Sequence, residues 1–113
     1  MPKWTRDLGG KTKSLADGQL AASKGTLYTT PTGKQAIATV KLVNTSGSTV
    51  KVNLYFKASG GTSRRIIGKD VPIEENGHLI MDDDQSLEAG DILEGDATFG
   101  TTVDYTVSGK EIT

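Results

Sequence analysis

The chain has 113 residues, no cysteine and a formal net charge of −1, with 35% hydrophobic and only 5% aromatic residues. That length sets a single domain, and the absence of cysteine excludes disulfides and thiolate metal sites. No apolar run approaches a membrane span, and the opening Met1-Pro2-Lys3-Trp4-Thr5-Arg6-Asp7 lacks the apolar core of a signal peptide, so a chain made and kept in solution is expected.

The near-neutral total hides a polarity along the chain. Residues 1–69 hold 12 of the 13 Lys and Arg against only Asp7 and Asp17, a net +10, whereas residues 70–113 set Lys110 against twelve acids, a net −11. Either strands from the two halves interleave and the charges mix within the fold, which is the simpler expectation, or each subunit carries opposite patches that meet a neighbour's. Complementary fields of that kind fix orientation and speed association more than they add affinity.

Residues 1–25 differ from the rest. Gly9-Gly10, Asp17-Gly18 and Lys24-Gly25 punctuate them, and Leu8, Leu15 and Leu20 stand alone. They read as an extended N-terminal arm with one short strand near Gln19–Ala22, preceding a domain over 26–113. Trp4 either anchors to another surface, as large aromatics do at interfaces, or folds back over the sandwich's own open edge, or lies in a disordered terminus.

From Leu27 the rhythm is two residues. Ala36, Ala38, Val40 and Leu42 alternate with Ile37, Thr39, Lys41 and Val43; Val50, Val52, Leu54 and Phe56 alternate with Lys51, Asn53, Tyr55 and Lys57. Side chains of a strand point to opposite faces in turn, so each run has one dry and one wet face. The short Asn44–Thr49 connection predicts a β-hairpin between them. Ala58–Ser63 is a turn, and Arg64–Ile73 is a strand with a kink, with Pro72 confined to an edge because it lacks a ladder donor. Asn76-Gly77 suits positive φ. His78–Asp82 is a strand, Leu87–Asp91 a short strand closed by a glycine turn, and Ile92–Thr98 its continuation, with Gly95 a candidate bulge. Val103, Tyr105 and Val107 mark the final strand, and the tail pairs through Ile112. Seven to eight short strands with turns every eight to twelve residues predict an all-β fold, an antiparallel β-sandwich of jelly-roll type.

From Leu15 onward the chain resembles a group of small tailed-phage virion proteins. The resemblance is carried by Leu15-Ala16-Asp17-Gly18-Gln19-Leu20, Leu27-Tyr28-Thr29-Thr30-Pro31, Ile37 to Thr45, Asn53-Leu54-Tyr55, Ser63 to Asp70, Leu87-Glu88-Ala89-Gly90-Asp91 and Val103 to Gly109. It implies a virion structural component of sandwich fold, on capsid or tail.

Candidate sites are sparse. Asp82-Asp83-Asp84, followed by Glu88, Asp91, Glu94 and Asp96, offers oxygen ligands for Ca²⁺. An EF-hand loop starting at Asp82 nevertheless fails, with Leu87 at the glycine position and Leu93 at the final glutamate position, so a solvated acidic loop is the plainer reading. Arg64 and Arg65 suit a carboxylate on the chain or on a neighbour. No aromatic platform or basic helix accompanies them, so nucleic acid is not expected. His78 stands alone, no Gly-x-Ser-x-Gly elbow is present, and Gly68-Lys69-Asp70 is not a phosphate loop.

The expectation is therefore a non-enzymatic virion protein without cofactor or metal, made in a bacterial cytoplasm. It would be a head decoration or cement protein, forming a homo-oligomer such as a trimer. It would bind the major capsid protein through Trp4, Arg6, Lys11, Lys13, Arg64, Arg65, Asp82, Asp83 and Asp84, and contact neither nucleic acid nor membrane. The alternatives are a tail, neck or fibre-associated virion protein, with a tail protein as partner, and a carbohydrate- or receptor-binding module using Tyr55.

Overall fold

The computed structural model describes residues 13–81 and 83–112. Among them lie ten strands and no helix: β1 Lys13–Gln19, β2 Gly25–Thr29, β3 Gln35–Asn44, β4 Val50–Lys57, β5 Ser63–Arg65, β6 Val71–Ile73, β7 His78–Ile80, β8 Gln85–Leu87, β9 Ile92–Ala97 and β10 Val103–Ile112. They form two antiparallel sheets. One runs β1-β10-β3, with β7 and β8 both against β3; the other runs β2-β9-β4, with β5 and β6 both against β4.

The short segments belong together. β5 and β6 follow one edge of β4, and β7 and β8 one edge of β3, so each couple is a single interrupted edge strand. Ten segments thus occupy eight strand positions, four in each sheet, in jelly-roll order. Pro72 sits on one of these edges, opposite Lys51, where its missing N–H costs the ladder nothing.

The alternation expected of β3 and β4 holds. Ala36, Ala38, Val40 and Leu42 meet Val50, Val52 and Leu54 in a core completed by Leu20, Leu87, Leu93, Val103 and Val107. Their relation to one another does not hold. β3 and β4 are not a hairpin; they lie in different sheets, with their dry faces opposed across the core. The connection after Asn44 is an arch from one sheet to the other, built on the Asn44 side chain, which is fully buried. Its Nδ2 reaches the carbonyls of Ser48 (2.7 Å), Ile73 (2.9 Å) and Glu74 (3.1 Å), and its Oδ1 accepts from the Ser46 N–H and hydroxyl. The only sequence-adjacent strands that pair as a hairpin among the described residues are β4 and β5.

Two further expectations shift. The strand placed near Gln19–Ala22 lies at Lys13–Gln19 and pairs with β10, so the sheet begins inside the stretch read as an arm; Leu20, just beyond it, is buried. As an edge strand with one neighbour, β1 needs little apolar alternation, and most of its residues are exposed. β9 does not continue β8 but crosses to the other sheet. The bulge beside it falls in β2, between Thr26 and Tyr28, and not at Gly95. Gly95 instead faces a crowded core, where a Cβ would lie 3.0 Å from the Asn53 carbonyl and 3.2 Å from Leu20.

β10 runs the full length of β3, from Val103 opposite Asn44 to Ile112 opposite Gln35. At Gly109 its backbone turns so that an added Cβ would stand 1.8 Å from the Ile37 carbonyl oxygen. Backbone cannot yield there without parting the two strands. Gly109→Ala is therefore expected to cost more than about 4 kcal/mol, in the range of severe single substitutions, and urea unfolding of the purified variant measures it.

Candidate functional site

Two polar clusters stand out, one closing an end of the sandwich and one covering the outer face of its second sheet. The first centres on Glu111. β10 presents Glu111 toward the interior side, where its Oε2 accepts a 2.6 Å hydrogen bond from the hydroxyl of Tyr28 on β2, in the opposite sheet. Its Oε1 lies 3.3 Å from Lys13 Nζ and 3.7 Å from Lys34 Nζ. Burial, then the carboxylate beside it, raises the Tyr28 phenol above its ordinary value. The Tyr28 hydroxyl and the two ammonium groups together lower Glu111, against its own partial burial. Lys13, expected to reach a partner, is here one side of an intrachain clasp.

The second cluster is built by register. β4 turns Asn53 and Tyr55 outward; Asn53 lies opposite Asp96, and Tyr55 lies between Glu94 on β9 and Arg65 on β5. Asn53, nearly buried, donates to Asp96 Oδ1 (2.8 Å) and Asp70 Oδ1 (3.0 Å), and its Oδ1 accepts from the Asp70 N–H (2.9 Å) and from Arg65. The Tyr55 hydroxyl donates to Asp96 Oδ2 (2.9 Å), and burial followed by that hydrogen bond raises its pKa. Lys24 Nζ and the Arg65 guanidinium sit 4.9 and 5.1 Å from the Tyr55 ring centre, within cation–π range. Ser63 donates to Glu94 at 2.5 Å.

Arg65 is thus engaged within the chain, by an amide and a ring. Arg64, one residue earlier, opposes Phe56 and is exposed, as the alternation of a strand requires. Asp83 and Asp84 are exposed in the β7–β8 connection. Asp84 also borders a depression of about 260 Å³ on the outer face of the first sheet, floored by Ile37, Thr39, Ser108 and Gly109. Trp4, Arg6, Lys11 and Asp82 lie outside the described residues. Among the described residues no three or more His, Cys, Asp or Glu side chains are grouped to hold a metal ion. Asp91, one of the acids near the loop, binds backbone instead, and its carboxylate accepts the N–H groups of Ser59 (3.0 Å) and Glu88 (2.9 Å).

As site residues Asn53, Asp70 and Glu111 escaped the sequence reading, and Asp96 entered it only as an acid near the Asp82–Asp84 loop. Their partners stand 12 to 98 positions away along the chain, and only strand register brings them together.

No protein-family model matches the chain, and no curated protein matches it in sequence. In fold it is similar to a chain in the structure of infectious bursal disease virus Gx strain, with a TM-score of 0.52 and 14% identity, over 98% of this chain and 37% of that one. At that identity the likeness is one of fold, and this chain spans little more than a third of the chain it matches.

Two outcomes test the clusters. Asn53→Ala leaves Asp70, Asp96 and Arg65 without their shared partner and is expected to destabilise by about 2 kcal/mol or more, read by chemical denaturation. Glu111→Gln tests the clasp through pH. A carboxyl whose folded pKa is lowered contributes stability above its unfolded pKa of about 4.5 and loses it as pH falls through the folded value. The melting temperature of the wild type should therefore exceed that of Glu111→Gln above pH 5, and the gap should close on acidification; a gap independent of pH contradicts the assignment.

Proposed function

We propose that this protein is a virion structural component that acts by binding, not catalysis, and that it decorates or cements the head of a tailed phage. The observation that carries the reading is the eight-position jelly roll, matched over 98% of the chain to part of a chain in a virus structure. The tailed-phage assignment rests on the resemblance carried by Leu15 to Leu20, Leu27 to Pro31 and the later strands, which implies capsid or tail alike; the head is our choice between the two. Cementing requires a subunit that assembles with copies of itself and with the underlying shell protein, so that burial across capsomer junctions adds stability by mass action.

The polar groups of the two clusters favour a scaffold over a reaction centre. Glu111, Asn53, Asp70 and Asp96 are each held by neighbours within the chain. A sugar-binding reading through Tyr55 is disfavoured because Lys24 and Arg65 already crowd its ring.

Mixing the purified protein with heads that lack it, followed by electron microscopy and heating, tests the proposal. Added density at capsomer junctions and a higher disruption temperature are expected. Binding confined to tails moves the protein to the tail, and binding to neither discards the virion reading.

A further inference from the structure

The two outer faces of the sandwich differ in kind. The outer face of the second sheet is charged and internally engaged through Asn53, Tyr55, Arg65 and Asp96. The outer face of the first sheet carries aliphatic and hydroxyl side chains along its two long central strands. β3 turns Ile37, Thr39, Lys41 and Val43 outward, and β10 turns Asp104, Thr106, Ser108 and Lys110 outward. On the flanking β7, Ile80 is 49% exposed.

The order of these residues is self-complementary. Asp104 lies opposite Val43, Thr106 opposite Lys41, Ser108 opposite Thr39 and Lys110 opposite Ile37. The midpoint of that series is the pair Val107 and Val40. Consider a two-fold axis parallel to the sheet, crossing the strands at that level. It stacks β10 on β10 and β3 on β3 of a second copy, with reversed direction. Asp104 then meets Lys110, Val43 meets Ile37, Thr106 meets Ser108, and Lys41 meets Thr39, not another lysine. A sheet face of random polarity would not give opposite charges, apolar pairs and hydroxyl pairs under one operation. The depression beside Ile37 and Lys110 lies at the end where Val43 of the second copy arrives.

We infer that the outer face of the first sheet is an isologous dimer interface between two copies of this chain, with Asp104 and Lys110 forming its reciprocal ion pairs. Two-fold interfaces use the same patch on both subunits, so the patch must complement itself. Two sheets packing with their strands nearly aligned are a standard solution. β3 and β10 of ten residues each, β1 of seven and β7 with β8 of six, set about 4.8 Å apart, cover roughly 540 Å² per subunit. That gives about 1,100 Å² in total, just below the range of stable specific interfaces, so the dimer dissociates on dilution. Among the described residues the other charges on this face are Lys41, already placed, Asp17 on β1, Asp84 on the rim beside Lys110, and His78 opposite Val43. Gln19 holds Asp104 from the side at 3.1 Å. This inference stands on register and charge alone and does not depend on the virion reading.

Sedimentation equilibrium of the purified full chain tests it. The wild type should show twice the chain mass at high concentration and dissociate on dilution. Asp104→Lys and Lys110→Asp should each weaken the dimer about tenfold or more, and the double exchange should restore it, because each reciprocal pair regains opposite charges. Thr106→Arg, at a site exposed in the subunit, provides a wedge that should also dissociate it while circular dichroism still reports an intact strand spectrum. A chain that stays monomeric at several hundred micromolar, a trimer, or a dimer indifferent to both single reversals overturns the inference.

Discussion

Among the described residues every ladder joins a strand from the first half of the chain to one from the second. β1 to β4, ending at Lys57, pair only with β5 to β10, beginning at Ser63. The polypeptide is in effect one long antiparallel ribbon, doubled at the β4–β5 turn and rolled into two sheets. This gives the charge polarity a physical meaning. Apart from the β4–β5 ladder, which sets Arg64 and Arg65 beside β4, the net basic residues 1–69 are hydrogen-bonded to the acidic residues 70–113; β9 brings Glu94 and Asp96 beside β4, which carries Lys51 and Lys57, and β10 brings Asp104 and Glu111 between β1 and β3, which carry Lys13 and Lys41. Opposite charges across a ladder contribute a few tenths of a kcal/mol each and like charges cost as much. Their larger effect is selective: pairing within either half would gather charges of one sign. Mixing within the fold, the simpler of the two expectations, is the arrangement found inside the subunit.

The sandwich is tied at both ends by polar side chains and held in the middle by aliphatic ones. At one end Asn44 satisfies the arch from β3 to β4 and reaches across to the carbonyls of Ile73 and Glu74 at the end of β6. At the other, near the start of β3, Glu111 in the first sheet accepts from Tyr28 in the second. Between them lie Val40, Leu42, Val52 and Leu54, all buried. A core with few aromatics has little to keep two sheets from sliding, since branched aliphatic side chains interdigitate at more than one offset. Directional bonds at the two ends fix the offset that packing alone leaves open.

The two-residue period was legible, and with it the fold class, the buried residues of β3 and β4, the edge position of Pro72 and the kinked strand that became β5 and β6. What the period reveals is which face of a strand is dry. It does not reveal which strand lies alongside. The stretch after Asn44 has the length of a hairpin loop and also of an arch, and the difference rests on whether Asn44 is a turn residue in solvent or a buried hub. Its side-chain partners include Ile73 and Glu74, some thirty positions on, which no local pattern encodes. The same holds for the clusters. Lys13 and Arg65 were visible as charges, but their partners Glu111 and Asn53 became relevant only through register. β1 was hard to place for the opposite reason: an edge strand with one neighbour shows almost no alternation.

Gly109 links the interior of the subunit to its outer face. It stands in β10 opposite Ala38, and the lack of a side chain leaves room for the Ile37 carbonyl, which an added Cβ would meet at 1.8 Å. The same close approach shapes the surface outside, because Ser108, Gly109 and Lys110 floor and border the depression next to Ile37. A bulkier residue would part the ladder and also lift that part of the outer face. The constraint that lets the ribbon close on itself therefore also contours the face offered to a second copy. Both follow from a chain whose alternate residues are committed in opposite directions, inward to a core shared by two sheets and outward to a surface whose order reads the same from either end.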